Sequence, residues 1–131
     1  MHTVIPMPAP PTVPVAGGGV FPVRRIYCVG RNYALHAQEM GFTGREPPFF
    51  FMKPGDAVVP VAEGEPGVID YLSLTKGFHH EIERVVAIGQ GGRNIAAVDA
   101  VEHSYGYGVG LDTTPMEGAI AGLGTLRVAV R

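Results

Sequence analysis

Apolar and polar positions along this chain fall into short runs broken by Gly and Pro, not into long periodic stretches. From Met1 to Pro22, prolines alternate with small apolar residues and lead to Gly17-Gly18-Gly19. Proline fixes φ and lacks a backbone donor, so this stretch predicts an extended arm without a regular ladder. Arg25–Val29 is a β-rich run stopped by Gly30, which predicts a buried strand. Asn32 can cap a helix and Gly41 can end it, giving roughly two turns across Tyr33–Met40.

Pro47–Lys53 predicts a strand entered through prolines and left through Pro54-Gly55. Gly55–Gly77 mixes Gly, Pro and acidic residues and predicts loops around a short strand at Ala57–Val61. Phe78–Gly89 is the clearest strand, followed by a turn at Gln90–Asn94 in which Gly91-Gly92 suits a hairpin. Asp99–His103 predicts a helical turn. Tyr105–Asp112 alternates glycine with larger residues, so one face of that strand admits close approach by a backbone or ligand. After Thr113 the chain turns small and apolar, with little pattern, to Arg131.

Composition narrows the function classes. The 131 residues fit one domain with a modest core. A formal net charge of -2 gives no case for a nucleic-acid or anionic-membrane surface. A single cysteine, Cys28, excludes an internal disulfide and points to a reducing, cytoplasmic compartment. The apolar runs are too short to cross a bilayer, and the N-terminus lacks a secretory pattern. Gly (19) and Pro (12) favour turns and short strands over long helices.

Three constellations could carry chemistry. Glu81 and Glu83 stand two apart on a strand, so they share a face. Their mutual repulsion is relieved by a hard divalent cation with oxygen ligands. A solvent-facing pair on an edge strand has the same spacing, and spacing alone favours that reading. His79 is in parity with them and His80 is not. His36 and Glu39, three apart on a helix, are neighbours on one face. A carboxylate on one ring nitrogen makes the other a better base, although a surface ion pair has the same spacing. Asp112 ends the glycine-alternating strand, as an oxygen ligand or as a cap on the next turn. Arg84 shares a face with Ile82, opposite the glutamates. It would cost several kcal/mol in order of magnitude if that face were core, and little if the face were open.

These segments occur together and in order. Ile26-Tyr27-Cys28-Val29-Gly30-Arg31-Asn32-Tyr33 with His36 and Glu39, then Phe49-Phe50-Phe51-Met52-Lys53-Pro54, then His79-His80-Glu81-Ile82-Glu83, then Gly106-Tyr107-Gly108-Val109-Gly110-Leu111-Asp112-Thr113 resemble the motifs of the fumarylacetoacetate hydrolase family. The arm Phe21-Pro22-Val23-Arg24-Arg25 is similar to the fumarylpyruvate-cleaving branch.

The resemblance implies a mixed α/β, mainly β fold: part of a β-roll with short helices, normally a homodimer. It implies a Pro/Gly-rich arm over 1–22, a partial catalytic domain over 23–114, and an atypical tail over 115–131, as in a chain truncated or frameshifted after Thr113. It implies Mg²⁺ or Mn²⁺ on Glu81, Glu83 and Asp112, and a water-activating dyad of His36 and Glu39. It also implies substrate contacts from Arg31, Tyr33 and Lys53. The reaction implied is metal-dependent hydrolysis of a carbon–carbon bond in an acylpyruvate, with fumarylpyruvate giving fumarate and pyruvate in gentisate-type aromatic catabolism. Two alternatives stay open: a catalytically inactive family fragment, and a 2-oxo acid decarboxylase or isomerase with the same ligands.

Overall fold

The computed structural model describes residues 2–30, 32–33, 41, 43, 47–71, 78–114 and 128–130. The chain divides into two units, Met1–Ile69 and Asp70–Arg131.

The first unit begins with a ladder that the prolines were expected to prevent. β1 (Thr12–Pro14) pairs antiparallel with β2 (Val20–Pro22), in the register Thr12↔Pro22, Val13↔Phe21, Pro14↔Val20. The reason lies in parity. Val15 N–H donates to Gly19 O at 3.2 Å and Val23 N–H to Pro11 O at 2.8 Å, so odd-numbered positions of each strand face the partner for hydrogen bonding. Pro14 and Pro22 occupy the intervening pairs, where an amide would point away from the ladder and its absence costs no bond. The turn between the strands runs through Gly17, Gly18 and Gly19 at φ 85°, 109° and 87°, a conformation that side chains with a Cβ rarely adopt.

β3 (Ile26–Gly30) pairs antiparallel with β4 (Phe49–Lys53), from Ile26↔Lys53 to Gly30↔Phe49. Both strands match the apolar runs of the sequence. β3 is not the buried strand expected, because it alternates between half-buried and exposed residues. Opposed residues share a face, so Tyr27, Val29, Phe50 and Met52 form one side of the ribbon, and Ile26, Cys28, Phe49, Phe51 and Lys53 the other. On the latter side the Phe49 ring lies directly over Gly30, a position where any side chain would collide with it. The helix expected across Tyr33–Met40 lies outside the described residues, apart from Tyr33.

The strand expected at Ala57–Val61 is absent. Pro54 leads into a 3-10 turn over Gly55–Ala57, closed by Ala57 N–H on Pro54 O at 3.1 Å. Pro60 then removes a donor from the middle of the run that follows. The remaining strand of this unit is β5 (Gly67–Ile69).

The second unit is dominated by one long ribbon. β6 (His79–Ile88) pairs antiparallel with β7 (Ser104–Thr114) from His79↔Thr114 to Ala87↔Gly106, with an irregularity between Ala87 and Ile88. β-branched and apolar residues favour this pairing along β6. The Tyr71 and Phe78 rings meet edge-on at 5.4 Å just before β6 begins. A further short strand, β8 (Val128–Val130), lies near the end of the chain.

The ribbon is not closed by a tight turn at Gly91-Gly92. Neither glycine takes a positive φ, as a two-residue hairpin turn would require. The connection instead covers 89–103, with Asn94 at φ 53° and the expected helical turn present as a 3-10 turn over Ala100–His103. Its base is pinned by Gly89 N–H and Gln90 N–H on His103 O, at 2.9 and 3.2 Å. The His103 ring adds a bond from Nδ1 to Gln90 O at 2.9 Å, and Ser104 Oγ donates to Val101 O at 2.7 Å.

A Cβ at Gly89 would stand 3.0 Å from Tyr105 Cβ and 3.5 Å from its Cα, whereas one at Gly106 would meet nothing within 4 Å. Gly89→Val is therefore expected to lose about 1–3 kcal/mol by overpacking the end of the ribbon. Gly106→Ala should gain up to about 1 kcal/mol from reduced backbone entropy. Urea unfolding midpoints of the two variants check this, and equal midpoints would contradict it.

Candidate functional site

The β6/β7 register decides where the acidic residues stand. Glu81 is directly opposite Asp112, and Glu83 is directly opposite Gly110. Opposed residues in an antiparallel pair project to the same side, and so do residues two apart on one strand. Glu81, Glu83 and Asp112 therefore share one face of the ribbon, and all three are half-buried. From general strand geometry the Glu81 and Asp112 Cβ atoms are roughly 4.5–5.5 Å apart. Glu81 and Glu83 are separated by about 6.6 Å along the strand.

That face carries few side chains from β7. Gly106, Gly108 and Gly110 all fall on it, in parity with Asp112. An added Cβ at Gly106 or Gly108 would meet nothing within 4 Å, and one at Gly110 would meet Val85 Cγ2 at 2.8 Å. Val85 belongs to the same face as Glu83 and leans over the glycine opposite that glutamate. The even spacing of the glycines from Asp112 is readable in the sequence; their placement beside Glu83 and Val85 needs the cross-strand register.

Arg84 lies on the other face with Ile82, opposite Val109, and is exposed. The open-face reading therefore holds, and no buried guanidinium has to be compensated.

Three carboxylates on one face form an all-oxygen donor set, which suits a hard cation such as Mg²⁺ or Mn²⁺ better than a soft one. Among the described residues, no three His, Cys, Asp or Glu side chains are gathered into a finished ligand cage. The residues present fit a divalent ion through their chemistry and register.

The other expected site residues lie in the first unit. Lys53 ends β4 opposite Ile26 and is half-buried. Tyr33 is half-buried shortly after β3. Arg31, His36 and Glu39 lie outside the described residues.

The fumarylacetoacetate (FAA) hydrolase C-terminal family model matches residues 25–130, extending past Thr113. The chain belongs to the fumarylacetoacetate hydrolase family. The described architecture, mostly strands with short helical turns, is that of part of this fold. A solved fumarylpyruvate hydrolase from Pseudomonas aeruginosa, in complex with Mn²⁺ and pyruvate, is 54% identical with a TM-score of 0.83. The match covers 87% of this chain and 50% of that one.

Among curated relatives, the mitochondrial oxaloacetate decarboxylase of Dictyostelium discoideum is 38% identical over 70% of this chain and 40% of its own length. The oxaloacetate tautomerase of Escherichia coli (strain K12) is 37% identical over 72% of this chain and 41% of its own. This chain thus spans about two fifths of those relatives and half of the solved one. These relatives are enzymes of three reaction classes: hydrolase, decarboxylase and tautomerase. No helix among the described residues is long and apolar enough to cross a membrane.

Asp112→Asn removes one of three like charges while keeping an acceptor at that position. In metal-free protein it is expected to raise stability by about 0.2–1 kcal/mol, the usual size of a like-charge cross-strand term. A thermal melt in chelator measures this. A loss of stability would show that the contacts of the Asp112 carboxylate outweigh the repulsion.

Proposed function

We propose that this chain carries the divalent-cation ligands and the water-activating dyad of an acylpyruvate hydrolase, with fumarylpyruvate as substrate and fumarate and pyruvate as products. The observation that carries the reading is the register Glu81↔Asp112 with Glu83 on the same face. Supporting it, the similar chain at 54% identity is a fumarylpyruvate hydrolase described with Mn²⁺ and pyruvate. The oxaloacetate enzymes stand at 37–38%.

In this reading Glu81, Glu83 and Asp112 hold Mg²⁺ or Mn²⁺. The bound cation supplies Lewis acidity and a docking point for vicinal oxygens. Arg31, Tyr33 and Lys53 bind and orient the substrate, the two cations facing its carboxylates. Glu39 fixes the tautomer of His36, whose free ring nitrogen takes a proton from water. The water oxygen adds to the acyl carbonyl carbon. The bond from that carbon to the pyruvoyl methylene then breaks, its electron pair leaving as pyruvate enolate, which takes up a proton to give pyruvate. The active species is a homodimer.

A second reading rests on the decarboxylase and tautomerase names of the curated relatives. There the same carboxylates hold the ion for oxaloacetate, and no carbon–carbon hydrolysis occurs. A third is a family chain without catalytic activity of its own.

Titrating the metal-free protein with Mn²⁺ is expected to raise its melting temperature. The gain corresponds to roughly 2.7 kcal/mol at a hundredfold excess over the dissociation constant. Glu83→Gln should abolish most of that gain, and an unchanged response in the variant would remove Glu83 from the ligand set.

Activity separates the three readings. Incubation with Mn²⁺ and fumarylpyruvate, followed by loss of the enol absorbance, is expected to show turnover that falls about 10²–10⁴-fold in His36→Ala. A folded protein inert toward fumarylpyruvate but active on oxaloacetate supports the second reading, and inertness toward both supports the third.

A further inference from the structure

Val85 stands two residues beyond Glu83 on β6 and directly opposite Gly108, on the face that carries Glu81, Glu83 and Asp112. Over Gly108 an added Cβ would meet nothing within 4 Å. Val85 reaches diagonally instead, and its Cγ2 lies 2.8 Å from where a Cβ at Gly110 would be. Gly110 is the cross-strand partner of Glu83. The place where Glu83 would meet an opposing side chain is therefore taken by a methyl group from its own strand. That approach is possible only because residue 110 has no side chain.

A glutamate side chain has considerable rotamer freedom, which it gives up when its carboxylate binds an ion. Val85 closes two of the directions over the ribbon that Glu83 could take: forward along β6, and across to β7 at Gly110. The direction left along the ribbon leads back to Glu81 and, opposite it, Asp112. We infer that Val85 is a positioning residue for the cation site: seated over Gly110, its methyl group holds the Glu83 side chain toward Glu81 and Asp112. Val85 touches neither ion nor substrate. It acts by removing alternatives before the ion arrives, so less freedom is lost on binding. The inference rests on the proposed ligand set of Glu81, Glu83 and Asp112 and adds to it a residue that donates nothing to the metal.

The test is a Mn²⁺ titration of the full, metal-free chain, read by the paramagnetic resonance signal of the free ion. Val85→Ala empties the space over Gly110 and should weaken binding about tenfold, the low end of the usual effect of residues that orient metal ligands. Val86→Ala is the control. Val85 and Val86 are each 45% exposed and lose the same atoms, but Val86 faces Tyr107 on the other side of the ribbon, so its binding should change little. Val85→Ala/Gly110→Ala returns a methyl group to the space from the opposite strand. Gly110 is not at positive φ, so alanine is accommodated there, and most of the lost affinity should return. Thermal melts in chelator accompany each variant and separate lost binding from lost folding. Should Val85→Ala alone not fold, the double variant carries the test, and a tenfold loss in it overturns the inference. Unchanged binding in Val85→Ala, or an equal loss in Val86→Ala, overturns it too. Glu83→Gln is titrated alongside. If it binds weakly while Val85→Ala binds normally, the positioning role falls and the ligand set stands; if Glu83→Gln binds normally, both fall.

Discussion

The antiparallel pairing of His79–Ile88 with Ser104–Thr114 is the constraint on which the candidate chemistry depends. Side chains on a strand alternate with a period of two, so a slip of one residue would send Asp112 to the Arg84 face and leave Glu81 opposite a different side chain. The observed register opposes Glu81 to Asp112 and leaves Glu83 facing a glycine. Charge is thereby concentrated on one face, and bulk from β7 is withheld from it. The hydrogen bonds around His103 and Ser104 tie the connection between the strands at its base.

Exposure is the second organising fact. Among the described residues no side chain is fully buried, and large apolar residues on both long ribbons face outward. Burying apolar surface is the main favourable term in folding. Arg84 is likewise exposed on its face of the β6/β7 ribbon.

Much of the strand pattern is legible from residues alone, because apolar runs bounded by Gly and Pro have few other readings. The runs at Arg25–Val29, Pro47–Lys53, Phe78–Gly89 and Tyr105–Asp112 all carry strands, with bounds at Ile26–Gly30, Phe49–Lys53, His79–Ile88 and Ser104–Thr114. Two of the departures come from treating Pro and Gly by type and not by position. Pro14 and Pro22 were expected to forbid a ladder, yet they occupy its non-bonding pairs. Gly91-Gly92 was expected to close a hairpin, but the ribbon is joined by a longer loop secured by His103.

For the candidate site, sequence by itself determined the inventory and the within-strand parity. Glu81 and Glu83 share a face because the period of a strand is two, and that holds whatever lies beside it. It also determined the family, through motifs whose order along the chain is a one-dimensional property. Only the tertiary structure decided that Asp112 lies across from Glu81, that the glycine stripe runs beside Glu83 and Val85, and that Arg84 meets an open face. Register and exposure depend on which strand comes to lie beside which, and residues some 30 positions apart in the chain carry no local signal of that pairing.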